Sequence, residues 1–505
     1  MTSRPGQPGP VAGRAGLAAM GASAALTVAV AAAGPSVTEP ALAGRTGQPP
    51  WALTAHPSPY LAVGLTAAAL AAGAFGLVLT LRAIRGGWSV PPRAVLLAGL
   101  LAAAVLTLLP PFGSSDQLSY AAYGRMLVTG HNPYTTTPAQ LAALGDPVAR
   151  AVQDWFTTPS VYGPLATGVQ GLASLTGGTS VRLTVFVLGL ANLTAFAVTA
   201  LLLHRMTRSD PARQLRAALL WAANPLLLQL LIAGAHVDAQ AVVFGVAALA
   251  VMYGPWAGVR APVPSLSRSV LAGVLVGLGF AVKVSDVLVG LGLAVALALR
   301  PRPGWRRMLP PLAGLAAGFA ATAGAAIVIG GPAMLGQLSR ESELVSIGSP
   351  WRVMREVIHL VLGGTAATGI VQAAAVALAV MLAVLVVRGL PGQGETVAFA
   401  AVLAWLFAWP YVLPWYDGLG WALLALLPWA PLPWAALDWL VLARTAALAF
   451  GYLPARGIAL PAGLDWLRSV VRTGVTPVAL LAVTVTLVLL LWPHRPRRPA
   501  RQARA

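Results

Sequence analysis

The sequence predicts an all-α, polytopic integral membrane protein, and its composition and charge pattern lead to that prediction. Of its 505 residues, 58% are hydrophobic and only 9% are charged, whereas about a quarter are charged in an ordinary soluble protein. The mean hydropathy is +0.77. The formal net charge of +19 resides in short clusters between long apolar runs, so it indicates membrane topology rather than nucleic-acid binding. The chain has no cysteine, which excludes a disulfide scaffold, thiol catalysis and a thiolate metal site.

The apolar runs predict about 12–14 transmembrane helices, since each crossing of the hydrocarbon core needs roughly 20 mostly apolar residues. Three of the runs, 269–283, 287–300 and 419–431, are short, which predicts broken or irregular helices. The candidate crossings are 15–34, 59–81, 94–110, 183–204, 217–233, 239–257, 269–283, 287–300, 309–331, 366–387, 397–413, 419–431, 434–452 and 475–492.

Two segments have alternative interpretations. The stretch 159–176 is weakly apolar, amphipathic and interrupted by proline and glycine, which predicts a re-entrant or interfacial segment rather than a crossing. The first run, 15–34, follows Arg4 and Arg14 and could be either the first crossing or a signal peptide, although no convincing cleavage site follows it.

The distribution of arginine predicts the orientation, because cytoplasmic loops hold an excess of Lys and Arg. With the N-terminus inside, most arginines fall on the inside and most acidic residues fall outside or in the membrane. This arrangement predicts one transmembrane domain over 1–492 and a basic cytoplasmic tail over 493–505. The two long outer loops, 111–181 and 332–365, carry many of the polar residues, so the chemistry is expected to face outward.

An outward-facing enzyme lacks nucleotide sugars and ATP, so it must take an activated substrate from the lipid phase. Sugars linked to polyprenyl phosphate are such substrates. The sequence has no P-loop, no dinucleotide-binding glycine pattern and no HExxH pair. The alternative from another class is a lipid or solute transporter, which the hydropathy alone also fits. A carrier should show paired repeats with helices broken at the midplane, and none is evident in the sequence.

Asp116 is the leading candidate for catalysis. It follows the apolar run that ends at Pro110, within SSDQLSYAAYGR, and is therefore expected at the membrane surface. A carboxylate there could accept the proton of an acceptor hydroxyl while a glycosyl phosphate departs. Phosphate leaves as a stable anion, so one base can suffice where glycoside hydrolysis needs two carboxyl groups. The alternative is that Asp116 only caps the helix that follows.

Basic side chains near the outer face are candidates for binding the donor phosphate. Arg352 and Arg355 share one face of a predicted interfacial helix, and Arg125 follows Asp116 by nine residues. Guanidinium groups suit phosphate oxygens, although all three could equally face lipid headgroups. Lys283 is the only lysine and lies three residues before Asp286, a spacing that predicts either a phosphate ligand or an ion pair on one helical face.

Four further side chains are candidates for binding the acceptor sugar. His236 and Asp238 lie two residues apart at a predicted helix start, where they could hold hydroxyls, bind a divalent ion or cap the helix. Tyr162 and Trp415 could stack on sugar rings, although aromatic residues at an interface are also typical of membrane belts. No cofactor follows from these residues, and a divalent metal remains open.

A series of motifs between about residues 90 and 425 resembles one known family. In order, the motifs are DQLSYAAYGR at 116–125, Asn132-Pro133-Tyr134, PSVYGPL at 159–165, Asn224-Pro225-Leu226, GAHVDA at 234–239, Lys283, SPWR at 349–352 and Pro414-Trp415-Tyr416. They resemble the polyprenol-phosphate-mannose-dependent α-1,6-mannosyltransferases of high-GC Gram-positive bacteria, in the C superfamily of integral-membrane glycosyltransferases. One departure is Val237, where the family usually has Asn.

The resemblance implies a C-type glycosyltransferase architecture with Asp116 as the catalytic base. It implies transfer of mannose from polyprenyl-phosphate mannose to a mannoside or glycolipid acceptor outside the membrane, as in lipomannan and cell-envelope biosynthesis. Donors of this kind carry a β-linked sugar, so a single displacement would invert it to an α-1,6 bond. A related alternative is a glycosyltransferase that uses arabinofuranose or galactofuranose on the same lipid carrier. Membrane lipids are expected partners, and nucleic acid is not.

Overall fold

The computed structural model describes residues 9–254, 264–299, 305–389, 394–428 and 435–492, and these ranges contain helices and loops but no strand. Seven helical segments are long and apolar enough to cross a membrane, and five shorter apolar helices accompany them. The prediction of an all-α polytopic membrane protein is confirmed. The predicted tail 493–505 and part of the basic segment 300–307 lie outside the described residues.

The first half of the chain forms helices α1 to α11. Their bounds are α1 Pro10–Ala33, α2 Pro59–Arg85, α3 Pro92–Thr107, α4 Asp116–Val128, α5 Pro138–Ala143, α6 Pro147–Arg150, α7 Pro164–Gly177, α8 Val181–Met206, α9 Pro211–Leu220, α10 Pro225–Leu227 with the π-helical turn Leu228–Ala233, and α11 Asp238–Tyr253.

The second half forms helices α12 to α20. Their bounds are α12 Leu266–Phe280, α13 Val287–Ala298, α14 Trp305–Ser342, α15 Pro350–Leu362, α16 Gly364–Gly389, α17 Gly394–Ala408, α18 Asp417–Leu426, α19 Ala436–Tyr452 and α20 Thr476–Leu491, with short 3₁₀ turns at Val284–Asp286, Pro414–Tyr416 and Ala462–Leu464 and a π-helix at Leu467–Val475.

Proline and capping residues determine where many of these helices begin. Proline suits the first helical turn because its missing N–H would be unpaired there in any case. At some of these helices the residue before the proline caps the helix: the Ser58 hydroxyl accepts from Leu61 N at 3.2 Å at the start of α2, and Asp210 accepts from Ala212 N at 2.9 Å at the start of α9.

Glycine allows α1 and α2 to pack closely. A Cβ atom on Gly76 would lie 2.7 Å from the Met20 backbone N, and one on Gly16 would lie 2.9 Å from the Gly76 carbonyl oxygen. Contacts this short leave no space for a side chain at either position. Small residues between helices are the usual means of close packing in membranes, where lipid provides no hydrophobic drive for helix association.

Helix breaks occur near the places where the sequence predicts them. The chain between α12 and α13 leaves the α-helical conformation around Lys283, and α18 has only 10 residues. The stretch 159–176 forms most of α7, a helix of 14 residues that packs against α4 and α8. The helix α14 extends to Ser342, with a kink at Gly331 (φ 70°), so it includes the first part of the predicted outer loop 332–365.

Candidate active site

A cavity of about 270 Å³ lies where three parts of the chain meet: residues 116–162, the end of α14, and the segment 411–416. Of the predicted site residues, Asp116, Tyr162 and Trp415 line this cavity. The remaining wall is largely aromatic and polar, and includes Tyr120, Tyr123, Trp155, Gln337, Arg340, Glu341, Tyr411 and Tyr416.

Asp116 begins α4 but its side chain does not cap that helix. The start of α4 shows no capping hydrogen bond from its N-cap side chain, and the Asp116 backbone N–H instead donates to Ser114 Oγ at 3.1 Å. The Asp116 carboxylate points elsewhere: Oδ1 accepts a hydrogen bond from Trp155 Nε1 at 3.2 Å, and Oδ2 lies 3.7 Å from His236 Nε2. The contacts of this carboxylate therefore favour a role at the cavity over a capping role.

The surroundings of Asp116 change its acidity. The pKa of its carboxyl group is raised from 3.8 to about 7, chiefly by burial and also by the negative charge of Asp154, although the hydrogen bond from Trp155 lowers it. Only 6% of the residue is exposed. A carboxyl group with a pKa near neutrality is suited to accept a proton at physiological pH.

His236 presents an unprotonated nitrogen to this carboxylate. Its Nδ1 lies 2.5 Å from the Leu230 carbonyl oxygen, which can only accept, so Nδ1 carries the proton. Burial lowers the pKa of His236 to about 3, which keeps the ring neutral and leaves Nε2 an acceptor. The imidazole is also stacked on Trp415, with ring centroids 3.6 Å apart and planes at 14°. Two acceptors, His236 Nε2 and Asp116 Oδ2, therefore face one another.

Local backbone irregularity positions the His236 ring. The π-helical turn Leu228–Ala233 precedes it, and Ala235 adopts a left-handed conformation (φ 53°). Both features cost free energy relative to a regular helix and are frequent at functional sites.

Lys283 pairs with Asp238 and not with Asp286. Its Nζ lies 2.6 Å from Asp238 Oδ1, and it also lies 3.7 Å from the centroid of the Tyr416 ring. The predicted pair with Asp286 is wrong because the helix is interrupted between α12 and α13, so residues three apart do not share a helical face there. Tyr416 in turn donates its hydroxyl to Glu341 Oε1 at 3.4 Å, which connects this ion pair to the cavity wall.

The three predicted phosphate-binding arginines do not line the cavity. Arg125 Nε donates to Asp146 at 2.7 Å, and Arg352 Nε donates to Glu356 at 2.7 Å on the exposed helix α15, which also carries Arg355. The arginine that lines the cavity is Arg340, near the end of α14. Sequence analysis missed it, although its position in the polar stretch SRESE, directly after an apolar run, was an available signal.

The aromatic wall is organised around Tyr162. Its hydroxyl donates to the Tyr120 hydroxyl at 3.2 Å, and the two rings meet edge to face with centroids 5.2 Å apart. In the part of the chain that the structure describes, no group of three or more His, Cys, Asp or Glu side chains is arranged to hold a metal ion.

The fold and the cavity together define a class: a polytopic helical membrane protein with one buried carboxylate facing an aromatic-lined cavity at the ends of its helices. Residues 18–300 match the family described as alpha-(1->6)-mannopyranosyltransferase, N-terminal domain. Because this match covers more than half of the chain, the protein belongs to that family.

Three curated relatives share parts of the sequence. The chain is 34% identical over 136 residues to an alpha-(1->6)-mannopyranosyltransferase of Mycobacterium tuberculosis, covering 26% of this chain and 23% of that protein. It is 33% identical over 136 residues to a probable alpha-(1->6)-mannopyranosyltransferase of Mycolicibacterium smegmatis, covering 26% and 24%. It is 29% identical over 126 residues to alpha-(1->6)-mannopyranosyltransferase A of Corynebacterium glutamicum, covering 25% of each. The matched segment thus spans about a quarter of each relative. No solved structure matches the chain.

Proposed function

We propose that the protein is a membrane glycosyltransferase that moves mannose from polyprenyl-phosphate mannose to a mannan or glycolipid acceptor and forms α-1,6 bonds. Family membership and the names of the relatives support mannosyl transfer. The observation that carries the proposal is the buried Asp116 carboxylate, which lines the cavity and whose Oδ2 lies 3.7 Å from the buried His236 Nε2. The hydroxyls of a sugar are donors, and the ionised carboxylate can accept from them.

In the proposed reaction, Asp116 takes the proton of the attacking acceptor hydroxyl. The acceptor oxygen forms the new bond to the anomeric carbon of mannose, and the bond from that carbon to the phosphate oxygen breaks with its electron pair. The polyprenyl phosphate leaves as a stable anion, so no proton has to be supplied to it. Attack from the face opposite the phosphate inverts a β-linked donor to an α product. His236 is buried behind this carboxylate and does not line the cavity, so its contact with the acceptor sugar stays a prediction.

Arg340 is the best-placed cation for the donor phosphate. It lines the cavity together with Asp116, and a guanidinium group offers several N–H donors in one plane to phosphate oxygens. Lys283 contributes positive charge nearby, although Asp238 partly neutralises it. For Arg125, Arg352 and Arg355 the same role stays a prediction. Tyr162 lines the cavity, where the C–H face of a sugar can stack on its ring; Trp415 is fully buried with His236 stacked on it, so its contact with a sugar stays a prediction.

The proposed orientation places both termini in the cytoplasm and the cavity outside. The segment Pro211–Ala233 supports this orientation, because Arg213 and Arg216 lie near its start and His236 follows its end. A reporter enzyme that is active only outside the cytoplasm, fused to the C-terminus, is expected to give no signal. A strong signal would place the C-terminus outside the cytoplasm and contradict the proposed orientation.

The proposed function is tested with membranes that contain the protein. Incubation with radiolabelled polyprenyl-phosphate mannose and a synthetic mannoside is expected to give an α-1,6-linked product, identified by linkage analysis, and membranes with Asp116→Asn should give almost none. Transfer of arabinofuranose but not mannose would favour the related glycosyltransferase class. If labelled lipid crosses a liposome membrane unchanged and no sugar is transferred, the transporter alternative is correct.

A further inference from the structure

The dipeptide Asp154-Trp155, called the bracket below, connects the start of α4 to a loop distant in sequence. The Oδ2 atom of Asp154 accepts two hydrogen bonds, one from the Ser115 hydroxyl and one from Gly457 N at 3.2 Å. Its backbone carbonyl oxygen accepts from Ser119 Oγ at 3.0 Å. The bracket is therefore attached at three points, two of them in the same segment as Asp116.

Trp155 has an unusual backbone conformation, and its side chain makes one hydrogen bond to Asp116. Its φ of 61° lies in the left-handed region, which bulky residues rarely adopt. The side chain is 41% exposed, so burial in a core does not account for its position. Its indole N–H donates to Asp116 Oδ1 at 3.2 Å. Strain of this kind persists only where the surroundings impose it, and the three attachments at Asp154 provide that constraint.

We propose that Asp154 and Trp155 are positioning residues for Asp116: Asp154 holds the bracket in place, and Trp155 binds one Asp116 carboxylate oxygen and leaves the other facing His236. The proposal rests on the proposed function, in which Asp116 is the base. In the reaction, Oδ1 stays bound by Trp155, and the proton of the acceptor is accepted by Oδ2. Neither bracket residue takes or gives a proton.

The two bracket residues also act on the Asp116 carboxyl group in opposite directions. The indole N–H stabilises the charged carboxylate and lowers its pKa, whereas the negative charge of Asp154 raises it. Loss of the Trp155 indole should therefore raise the pKa of Asp116, and loss of the Asp154 charge should lower it. The other titratable groups that face Asp116, and that neither substitution alters, are His236, Asp238, Lys283, Tyr120, Tyr123, Tyr162, Tyr411 and Tyr452.

The test compares the pH dependence of mannosyl transfer in wild type, Trp155→Phe and Asp154→Asn. Phe keeps the ring and removes the N–H, and Asn keeps an oxygen that can accept from Ser115 and Gly457. The acidic limb of the rate profile is expected to move up by roughly one pH unit in Trp155→Phe and down by a similar amount in Asp154→Asn. Limbs that stay in place, or that both move the same way, would show that the bracket is only structural.

Two matched controls and one substrate-free measurement complete the design. Trp51→Phe removes an exposed indole that donates to the Gly47 carbonyl, and Asp210→Asn preserves the cap of α9; neither should shift the limb. The carboxyl band of Asp116, identified by its loss in Asp116→Asn, can also be titrated by infrared spectroscopy without substrate. If wild type transfers no mannose, the proposed function fails, while the infrared shifts still support or overturn the bracket.

Discussion

Two buried ion-pair clusters near opposite ends of the segment Pro211–Ala233 differ in how completely their polar atoms are bonded. Near the start of this segment, Asp438 Oδ1 accepts from Arg216 Nη2 at 2.5 Å, and Oδ2 accepts from Arg216 Nε at 3.2 Å and from Arg85 Nη2 at 3.1 Å. Arg216 Nη1 also donates to the carbonyl oxygens of Leu424 and Leu427. This cluster joins α2, α9, α18 and α19, and both oxygens of its carboxylate are bonded.

The cluster beyond the other end also pairs carboxylates with basic side chains but leaves acceptors unbonded. It consists of Asp116, His236, Asp238 and Lys283. Within the described part of the chain, Asp238 Oδ2 and His236 Nε2 have no hydrogen-bond partner, and Asp116 Oδ2 faces the latter. A buried acceptor without a donor costs roughly 1–3 kcal/mol. Buried charge alone therefore does not identify a functional site. Its unbonded acceptors, one of which lies next to the cavity-lining Asp116, distinguish the second cluster from the first.

Substitution of Asp116 is expected to have the largest effect on activity. Asp116→Asn keeps the size of the side chain and removes its ability to accept a proton, which typically lowers the rate by roughly two to four orders of magnitude. The variant should insert and fold normally, because an amide is tolerated at this helix start. The measurement is mannosyl transfer by membranes with equal amounts of folded protein. A rate above about a tenth of wild type would remove Asp116 from the catalytic role and make Asp238 the next carboxylate to test.

The bonded cluster should respond to the matched substitution in the opposite way. Asp438→Asn leaves Arg216 buried without its counter-charge, and breaking a buried pair typically costs about 3–5 kcal/mol of stability. Thermal unfolding in detergent should show a lower Tm than wild type, while the protein that remains folded should keep the wild-type KM for donor and acceptor. A variant with normal Tm and a raised KM would place this cluster in the binding site and contradict the comparison.

The next effect concerns the donor phosphate. Loss of a charge-assisted hydrogen bond of about 1.5–3 kcal/mol in Arg340→Gln should lower transfer about ten- to a hundredfold at low donor concentration, chiefly through KM. Arg352→Gln is the matched comparison, because Arg352 lies on the exposed helix α15 and is paired with Glu356. Donor titrations of the two variants decide the contact: a larger loss in Arg352→Gln would move the phosphate site to α15.

The effect expected to change activity least is on stability against pH. The pKa of Asp116 is raised from 3.8 to about 7 in the folded protein, so folding favours its protonated form. This contribution to stability is present below about pH 4 and is lost as the pH rises through about 7. The Tm of wild type should therefore fall relative to that of Asp116→Asn between pH 5 and pH 8. Glu39, whose burial raises its pKa to about 9, titrates alike in both proteins and cancels in the difference. Parallel Tm curves would contradict the raised pKa.

Sequence analysis could predict the features that depend on short segments. Hydropathy predicts the crossings, and the motifs around Asp116, Tyr162 and Trp415 identify three residues that line one cavity, although they lie as far apart as 116 and 415 in the chain. It could not predict partners set by packing. Lys283 binds Asp238, 45 residues away, because the break after α12 turns it toward the start of α11. Arg340 was missed because hydropathy ends the crossing at residue 331, whereas the helix continues beyond the kink.

The kink at Gly331 separates the last part of α14 from the rest of the helix, so a small rotation at this residue moves the helix end by a larger distance. Arg340 lies nine residues beyond it, about 13 Å along a helix that rises 1.5 Å per residue, so a rotation of about 10° at Gly331 displaces it by about 2 Å. The opposite wall lacks this freedom, since a Cβ on Gly124 of α4 would lie 2.1 Å from the Gln170 carbonyl oxygen of α7. Movement at this kink would therefore displace the wall that carries Arg340, while the close packing of α4 on α7 keeps the wall that carries Asp116 in place.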